Sequence, residues 1–469
     1  MSEGPTIAEL LERLALRDEL IGQLQAELAA ARAELVELRR QLGQDSQNSS
    51  KPPSSDGLAK PAPRSQRRRS GRKPGGQGGH PGSRLEQVAA PDEVIRHEPG
   101  PCGGCGGDLD GADEVGAVTR QVFDLPPITV RVVEHQLVER RCGCGVITRA
   151  AGPATVTAPV QYGPRIAAIM VYLYVGQFLS KARTAQALGE LFATPVSAGT
   201  VSAVTDRAAG GLAEFCETVR GRIAAADVAH FDETGLRVDG RLRWVHSAST
   251  DTDSLITCHD KRGREAMNAA GVLPNFTGIA VHDAWAPYDS YRQIRHGLCN
   301  AHVLRELQAV TDASVESAPE AWCWATQAGD ALRELNTQTQ TPALDPAAVA
   351  AATGRFRAAT EIGAAATRAR TTKPMAKEHA LARRLIVRRE EYLRFTVDPR
   401  VPFDNNAAER EIRMIKLRQK VSGCQRTLAG ATGFCAIRSY LATAAKHGIT
   451  FLHALESLAQ GRAWLPEPA

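Results

Sequence analysis

Asp232, Asp283 and Glu409 are the residues of this 469-residue chain whose types and settings best suit chemistry. Asp232 closes the apolar run Val228-Ala229-His230-Phe231 and precedes Glu233-Thr234-Gly235. Asp283 closes a second run, Gly278-Ile279-Ala280-Val281-His282, ahead of Ala284-Trp285. Glu409 follows Asp404-Asn405-Asn406-Ala407-Ala408 at the start of a basic, helix-patterned stretch. Two carboxylates at strand ends and one on a late helix are what two-metal phosphoryl transfer needs. Its cations sit roughly 3.5–4 Å apart, held by carboxylates from separate elements. Mg2+ (or Mn2+) suits such a set, because hard cations take oxygen ligands and keep some waters. Taken singly, the same residues are ordinary: a strand-end Asp starts a turn, and a first-turn Glu complements a helix dipole.

A second chemistry is written in cysteine. Cys102-x-x-Cys105 and Cys142-x-Cys144 bracket 36 residues, with glycines at 103, 104, 106, 107, 143 and 145 for tight turns. Four thiolates on two knuckles suggest a tetrahedral structural Zn2+ site. The second knuckle has one intervening residue where two are usual, so His97 or His135 stays open as a substitute for Cys142 or Cys144. Reduced structural thiols are the plainer alternative.

These residues need elements to position them. Ile7, Leu14, Ile21, Leu28, Leu35 and Leu42 recur every seven residues, with Leu10, Leu24, Ala31 and Leu38 three later. Sustained heptads predict a coiled coil over 1–43 and a homodimer or higher assembly. Residues 44–84 form a Ser/Pro/Gly-rich linker carrying Arg67, Arg68 and Arg69, whose charge suits DNA phosphates as well as a solubilising tether. A zinc-finger-like module over 85–155 contains Val130, Val132 and Leu137 in partial strand alternation. Residues 156–224 read as helices. Lys181 to Phe192, a break at Pro195 and Gly199, and a second helix from about Val201 resemble a helix-turn-helix or an ordinary helical hairpin, with Ser197 as N-cap. Strands are expected at 227–233, 241–249, 254–259 and 278–283, with a helix at 263–270. An Ala/Glu/Arg-rich helical insertion over about 312–398 then explains why 126 residues separate Asp283 from Glu409 but only 51 separate Asp232 from Asp283.

On the helix of Glu409, capped by Asp404, Asn405 or Asn406, Arg413 and Lys416 lie four and seven residues on and share its face. They are candidate DNA contacts, as are His302 and Arg305, although a sheet-packed histidine and a solvated helix face are the bland readings. Arg410, Arg418, Lys420, Arg426, Arg438 and Lys446 extend the basic stretch. The formal net charge is only +5, so nucleic-acid affinity must come from such patches. No apolar run reaches membrane-spanning length and no signal peptide opens the chain, which predicts a cytoplasmic, nucleoid-associated protein with cysteines reduced or metal-bound.

Four segments together carry a resemblance: His230-Phe231-Asp232-Glu233-Thr234, Val281-His282-Asp283-Ala284-Trp285, Cys299-Asn300-Ala301-His302-Val303-Leu304-Arg305-Glu306-Leu307 and Phe403-Asp404-Asn405-Asn406-Ala407-Ala408-Glu409-Arg410. They resemble the insertion-sequence-66 family of bacterial transposases, and the likeness runs from the linker near residue 46 to the helical tail. The resemblance implies an α/β ribonuclease-H-like catalytic core over 225–469 with a helical insertion. It implies an Asp-Asp-Glu triad at Asp232, Asp283 and Glu409, and it supports zinc in the cysteine module. The expected activity is cutting and joining the ends of a mobile element, with its terminal inverted repeats and target DNA as partners and accessory proteins of the same element possible by resemblance. The alternatives are a ribonuclease-H-like nuclease that does not join strands and a dimeric DNA-binding regulator without catalysis.

Overall fold

The computed structural model describes residue 82 and residues 84–467 except 127, 154, 318–321 and 342–343; further upstream it describes 14, 16–25, 27, 28, 31, 34, 35 and 38. The described upstream residues are helical. Their heptad positions Leu14, Ile21, Leu24, Leu28, Leu35 and Leu38 are 43–55% exposed in the single chain. Arg67, Arg68 and Arg69 lie outside the described residues, as does most of the expected linker.

Among the described residues the first strands are β1 (Glu139–Arg141) and β2 (Ile147–Arg149), an antiparallel pair. The alternation at Val130, Val132 and Leu137 forms no strand, and these side chains are exposed. Four helices follow: α1 (Pro164–Val171), α2 (Lys181–Phe192), α3 (Ala198–Gly210) and α4 (Ala213–Ala224). The Ser180 and Ser197 hydroxyls cap α2 and α3, accepting from Arg183 N and Thr200 N. The cap places α3 three residues earlier than the expected start at Val201.

The centre is a five-stranded sheet in the order β5-β4-β3-β6-β7, built from β3 (Val228–Val238), β4 (Arg241–Ser249), β5 (Ser254–His259), β6 (Ile279–His282) and β7 (Arg295–Leu298). β3, β4 and β5 pair antiparallel, whereas β3, β6 and β7 pair parallel. One expectation is corrected here. Asp232 does not end its strand, because β3 runs on to Val238 and turns through Asp239-Gly240, both at positive φ. That two-residue Asp-Gly hairpin is a strong sequence signal which extends the strand beyond its apolar start. The short strand β7 is also additional to the expected set.

Strand β5 is an edge, which would leave a row of unpaired backbone groups. Helix α12 (Leu428–Lys446) covers it: Ile256 N donates to Ser439 Oγ at 2.7 Å and Ser254 N to Thr443 Oγ1 at 3.0 Å. Helix α5 (Arg264–Ala270) precedes β6. After β7 come α6 (Asn300–Ser317), α7 (Trp324–Thr339), α8 (Pro346–Ala366), α9 (Lys373–Val387) and the short α10 (Arg389–Tyr392), so the helical insertion begins at Asn300 rather than 312. It is continuous with the sheet. Trp324, Leu332, Phe356 and Leu385 share one buried cluster with Ile279, Val281 and Leu298 of β6 and β7. A second cluster joins α4, β3 and α12 through Phe215, Val219, Phe231, Phe434 and Tyr440. Helices α11 (Asn406–Ser422) and α13 (Phe451–Ala459) complete the fold.

Candidate active site

Register brings the first two carboxylates together. In the parallel ladder Val228 pairs with Ile279, Ala229 with Ala280 and His230 with Val281, a constant offset of 51. Asp232 and Asp283 differ by the same 51, so they lie level just beyond the last paired rung. Between β6 and β7 His282 pairs with Leu298, which sets Cys299 level with Asp283, and Cys299 N donates to His282 O at 2.9 Å. A row of Asp232, Asp283 and Cys299 therefore lines the carboxyl edge of the parallel strands, where open α/β sheets bind ligands.

Glu409 reaches this edge from the first turn of α11. Asp404 Oδ1 caps that turn, accepting from Asn406 N at 3.0 Å. Asn405 points inward instead. Its Nδ2 donates to Phe231 O at 2.8 Å, its Oδ1 accepts from His230 Nδ1 at 2.9 Å, and its backbone N donates to Cys299 Sγ at 3.2 Å. Asn300 adds two further ties, donating from its backbone N to Phe403 O at 3.0 Å and from Nδ2 to Tyr392 O at 2.8 Å. The segments bearing Asp232, Cys299 and Glu409 are thus stitched together by two buried asparagines, 1% and 0% exposed. Such support is what holds a site in a fixed geometry.

Asp283 is held by an Asx turn, its Oδ1 accepting from Trp285 N at 2.9 Å, across Ala284 at φ 69. A non-glycine residue in the left-handed region costs on the order of 1–3 kcal/mol and persists where surrounding structure enforces it. Beside it Glu233 is 9% exposed and accepts from Arg262 Nη2 at 2.7 Å and Tyr288 Oη at 2.9 Å. The Arg262 guanidinium stacks on Trp285 and Trp244, 4.0 and 4.8 Å from their ring centres. His282 accepts from Ala284 N through Nδ1, so its Nε2 donates to His296 Nδ1 at 2.9 Å, and burial holds it neutral.

The electrostatics are those of crowded acids. Burial, then the neighbouring charges of Glu233, Asp283 and Glu409, push the Asp232 carboxyl well above the usual range. Burial raises Asp283 against the pull of the Trp285 N–H and Arg262. Burial also raises Glu409, partly offset by Arg305 and Arg413. Glu233 is pushed up to about 7, by burial first and then Asp283. Buried carboxylates whose mutual repulsion is this poorly offset fit a site for divalent cations.

The structure sorts the remaining candidates. His302 and Arg305 face Glu409, with His302 Nδ1 4.0 Å and Arg305 Nη2 3.4 Å from Oε1. Burial brings the His302 imidazole down to about 3, which keeps it neutral. Arg413 is exposed, 4.0 Å from Glu409 Oε2. Lys416 is half-buried, its ammonium donating to Gly235 O on β3. Within the wider basic stretch, Arg418 and Arg438 are buried over aromatic rings and Lys446 donates to Thr250 O and Asp253 O, so these three are structural cations. Arg410, Lys420 and Arg426 remain exposed.

Both cysteine knuckles form. Cys102 N donates to Gly107 O at 2.8 Å and Gly106 N to Cys102 O at 2.7 Å, while Cys142 N donates to Val146 O at 2.8 Å in the β1–β2 turn. Hydrogen bonds from within its own knuckle lower the thiol pKa of both Cys102 and Cys142, which favours the metal-binding thiolate. The four sulfurs do not gather into a set within 4.8 Å of one another.

No role was expected of Asn300, Glu233, Arg262 or Tyr288, and Asn405 was expected only as one of three candidate helix caps. Asn405, Asn300 and Glu233 sit within the quoted segments and could have been found there, whereas Arg262 and Tyr288 become visible only when the strands are in register.

Comparison with known families places these features. The profile of the IS66 transposase family matches residues 159–433, which include all three carboxylates. The zinc-finger binding domain of IS66 transposases matches residues 99–145, and a family of unknown function matches residues 3–86. No curated protein matches the chain.

Proposed function

Because the chain belongs to the IS66 family of transposases, we propose that it cuts and joins DNA at Asp232, Asp283 and Glu409 by two-metal phosphoryl transfer. The observation that carries this reading is the register: Asp232 and Asp283 sit level at the carboxyl edge of adjacent parallel strands, with Glu409 brought alongside by Asn405. The order of three antiparallel strands followed by two parallel ones supports a ribonuclease-H-like core.

Mg2+ or Mn2+ bound by the three carboxylates would supply Lewis acidity to the attacking and leaving oxygens of the phosphodiester. Asp232, flanked by both other acids in its electrostatics, is the natural shared ligand. Asp283 and Glu409 each complete one side. Arg413, exposed beside Glu409, is placed to meet a phosphate, and the neutral His302 adds no competing charge at the carboxylate. Cutting at an element end frees a 3′-hydroxyl, and the same carboxylates then serve its attack on target DNA.

Around this centre, Cys102, Cys105, Cys142 and Cys144 hold structural zinc. The α2–α3 pair and the basic linker add DNA contacts, and the exposed heptad leucines pair with a second copy of the chain. Light scattering of a variant with charged residues at 28 and 35 checks that pairing. The activity itself is tested with full-length protein, DNA carrying a pre-cut element end, and a supercoiled plasmid target. Joined product that requires Mg2+ or Mn2+ supports the reading. Cleavage of uncut ends without any joining would reduce the protein to a nuclease.

A further inference from the structure

Among the described residues, the ligand atoms of Cys299, His302 and Glu409 all lie within 4.8 Å of one another, and they are the only such set of three or more. The three carboxylates of the triad do not close to that separation. The donors of the tight set are a thiol, an imidazole nitrogen and a carboxylate oxygen, which is the ligand chemistry of zinc-class ions rather than of Mg2+. Cys299-Asn300-Ala301-His302 enters α6, and Asn300 fixes it to the Phe403 strap that leads to Glu409. Cys299 is 2% exposed, with its sulfur already accepting from Asn405 N. The His302 Nδ1 atom is buried without a hydrogen-bond partner and faces Glu409 Oε1 at 4.0 Å. A buried nitrogen left without a hydrogen-bond partner calls for an explanation, and a cation bound at that nitrogen would supply one.

We infer that Cys299 Sγ, His302 Nδ1 and Glu409 Oε1 form a second cation site, distinct in chemistry from the carboxylate pair, which takes a thiophilic divalent ion of the zinc or cobalt class. Tetrahedral ligand atoms around zinc are separated by roughly 3.3–3.7 Å, so the 4.0 Å between His302 Nδ1 and Glu409 Oε1 must close by about half an ångström and no pair of the set, all within 4.8 Å, by more than about 1.5 Å. Three protein ligands leave the fourth position open to water or to a DNA oxygen. Arg305 Nη2, 3.4 Å from the same Oε1, competes with the ion for that oxygen. Glu409 is therefore shared: an oxygen committed to the Cys299–His302 side is withdrawn from Asp232 and Asp283. The cation site itself rests on these three side chains and not on the proposed reaction, so it stands or falls without DNA.

The test is cobalt substitution of the full-length protein, comparing wild type with Cys299→Ser and His302→Ala. All three carry the same cysteine module and the same carboxylates, so a thiolate-to-cobalt band in the difference spectrum reports the Cys299 side alone. Wild type should bind one more cobalt ion per chain than Cys299→Ser, with a thiolate-to-cobalt charge-transfer band in the difference spectrum. His302→Ala, which keeps the buried thiol, should bind that ion at least about tenfold more weakly, since even outer-shell partners of a metal are worth that much. Metal-free unfolding curves identify any variant that has lost its fold. Equal cobalt content and superimposable spectra in wild type and a folded His302→Ala would overturn the site.

Discussion

The carboxylate edge of the sheet and the cysteine module are held together by opposite means. At the edge, Asn405, Asn300 and His282 are almost fully buried and every strap ends in a hydrogen bond to a neighbouring strap. In the module Val115, Val118, Val122 and Leu125 are 80–100% exposed, and the regular structure is a pair of three-residue strands and two turns. Packing and buried amides organise the first region, whatever it binds. The second has too little apolar burial to offset its chain entropy by packing alone, and the proposed zinc would contribute the difference. On the proposed reading, one chain carries a preformed site and a module whose fold depends on its ligand.

The largest effect that separates the two regions is chelation. Removing zinc, or replacing Cys102 by Ser, should abolish hydrogen-exchange protection across residues 95–150 while leaving the sheet as protected as before. Equal loss in both regions would erase the contrast.

Next in size is Asn405→Ala. It removes the Asn405 partner of the His230 Nδ1–H and of the Phe231 carbonyl at a buried position, at a cost on the order of 3 kcal/mol. Chemical denaturation should show this loss in the core transition, with zinc content unchanged.

A smaller effect follows from the crowded acids. Asp232, Asp283 and Glu409 have raised carboxyl pKa values in the folded state, so that state binds more protons than the unfolded chain above the ordinary carboxylate range. Stability must then fall as pH rises through the raised values. Without divalent ions, Asp232→Asn should gain stability relative to wild type between pH 5 and pH 8. Added Mg2+ should stabilise the wild type more at pH 8 than at pH 5, by thermal unfolding. A pH-independent difference would mean that the acids are not mutually strained.

The smallest effect distinguishes two cations on one helix. Arg413→Ala should flatten the slope of log affinity for DNA against log salt by about 0.9. Lys416→Ala should leave that slope nearly unchanged, because its ammonium is engaged with the Gly235 carbonyl. Equal slopes in both variants would show that Lys416 leaves β3 to meet DNA.

Much of the candidate site was legible because local patterns end at the three carboxylates. The apolar runs before Asp232 and Asp283 and the caps before Glu409 mark their elements without tertiary information. What was not legible depends on pairing between distant segments. The offset of 51 is a sequence number, yet it becomes a register only once β3 and β6 are known to lie side by side. The Asp239-Gly240 turn was readable and would have extended β3, but β7 is four residues long with a histidine and a glycine, below any useful periodicity. Lys446, Arg418 and Arg438 look like a DNA-facing charge run until burial shows them serving the fold.

On the proposed function, Asp232, Asp283 and Glu409 act as one cation-dependent centre. Single-turnover strand cleavage of element-end DNA by Asp232→Asn, Asp283→Asn, Glu409→Gln and the triple variant tests it most directly. Each single variant should lose at least about a thousandfold in rate, equivalent to about 4 kcal/mol, with end-DNA binding within a few-fold of wild type. The triple variant should be no slower than the singles, as expected of residues that work as a unit. Near-native cleavage by any one of the three single variants would contradict the account.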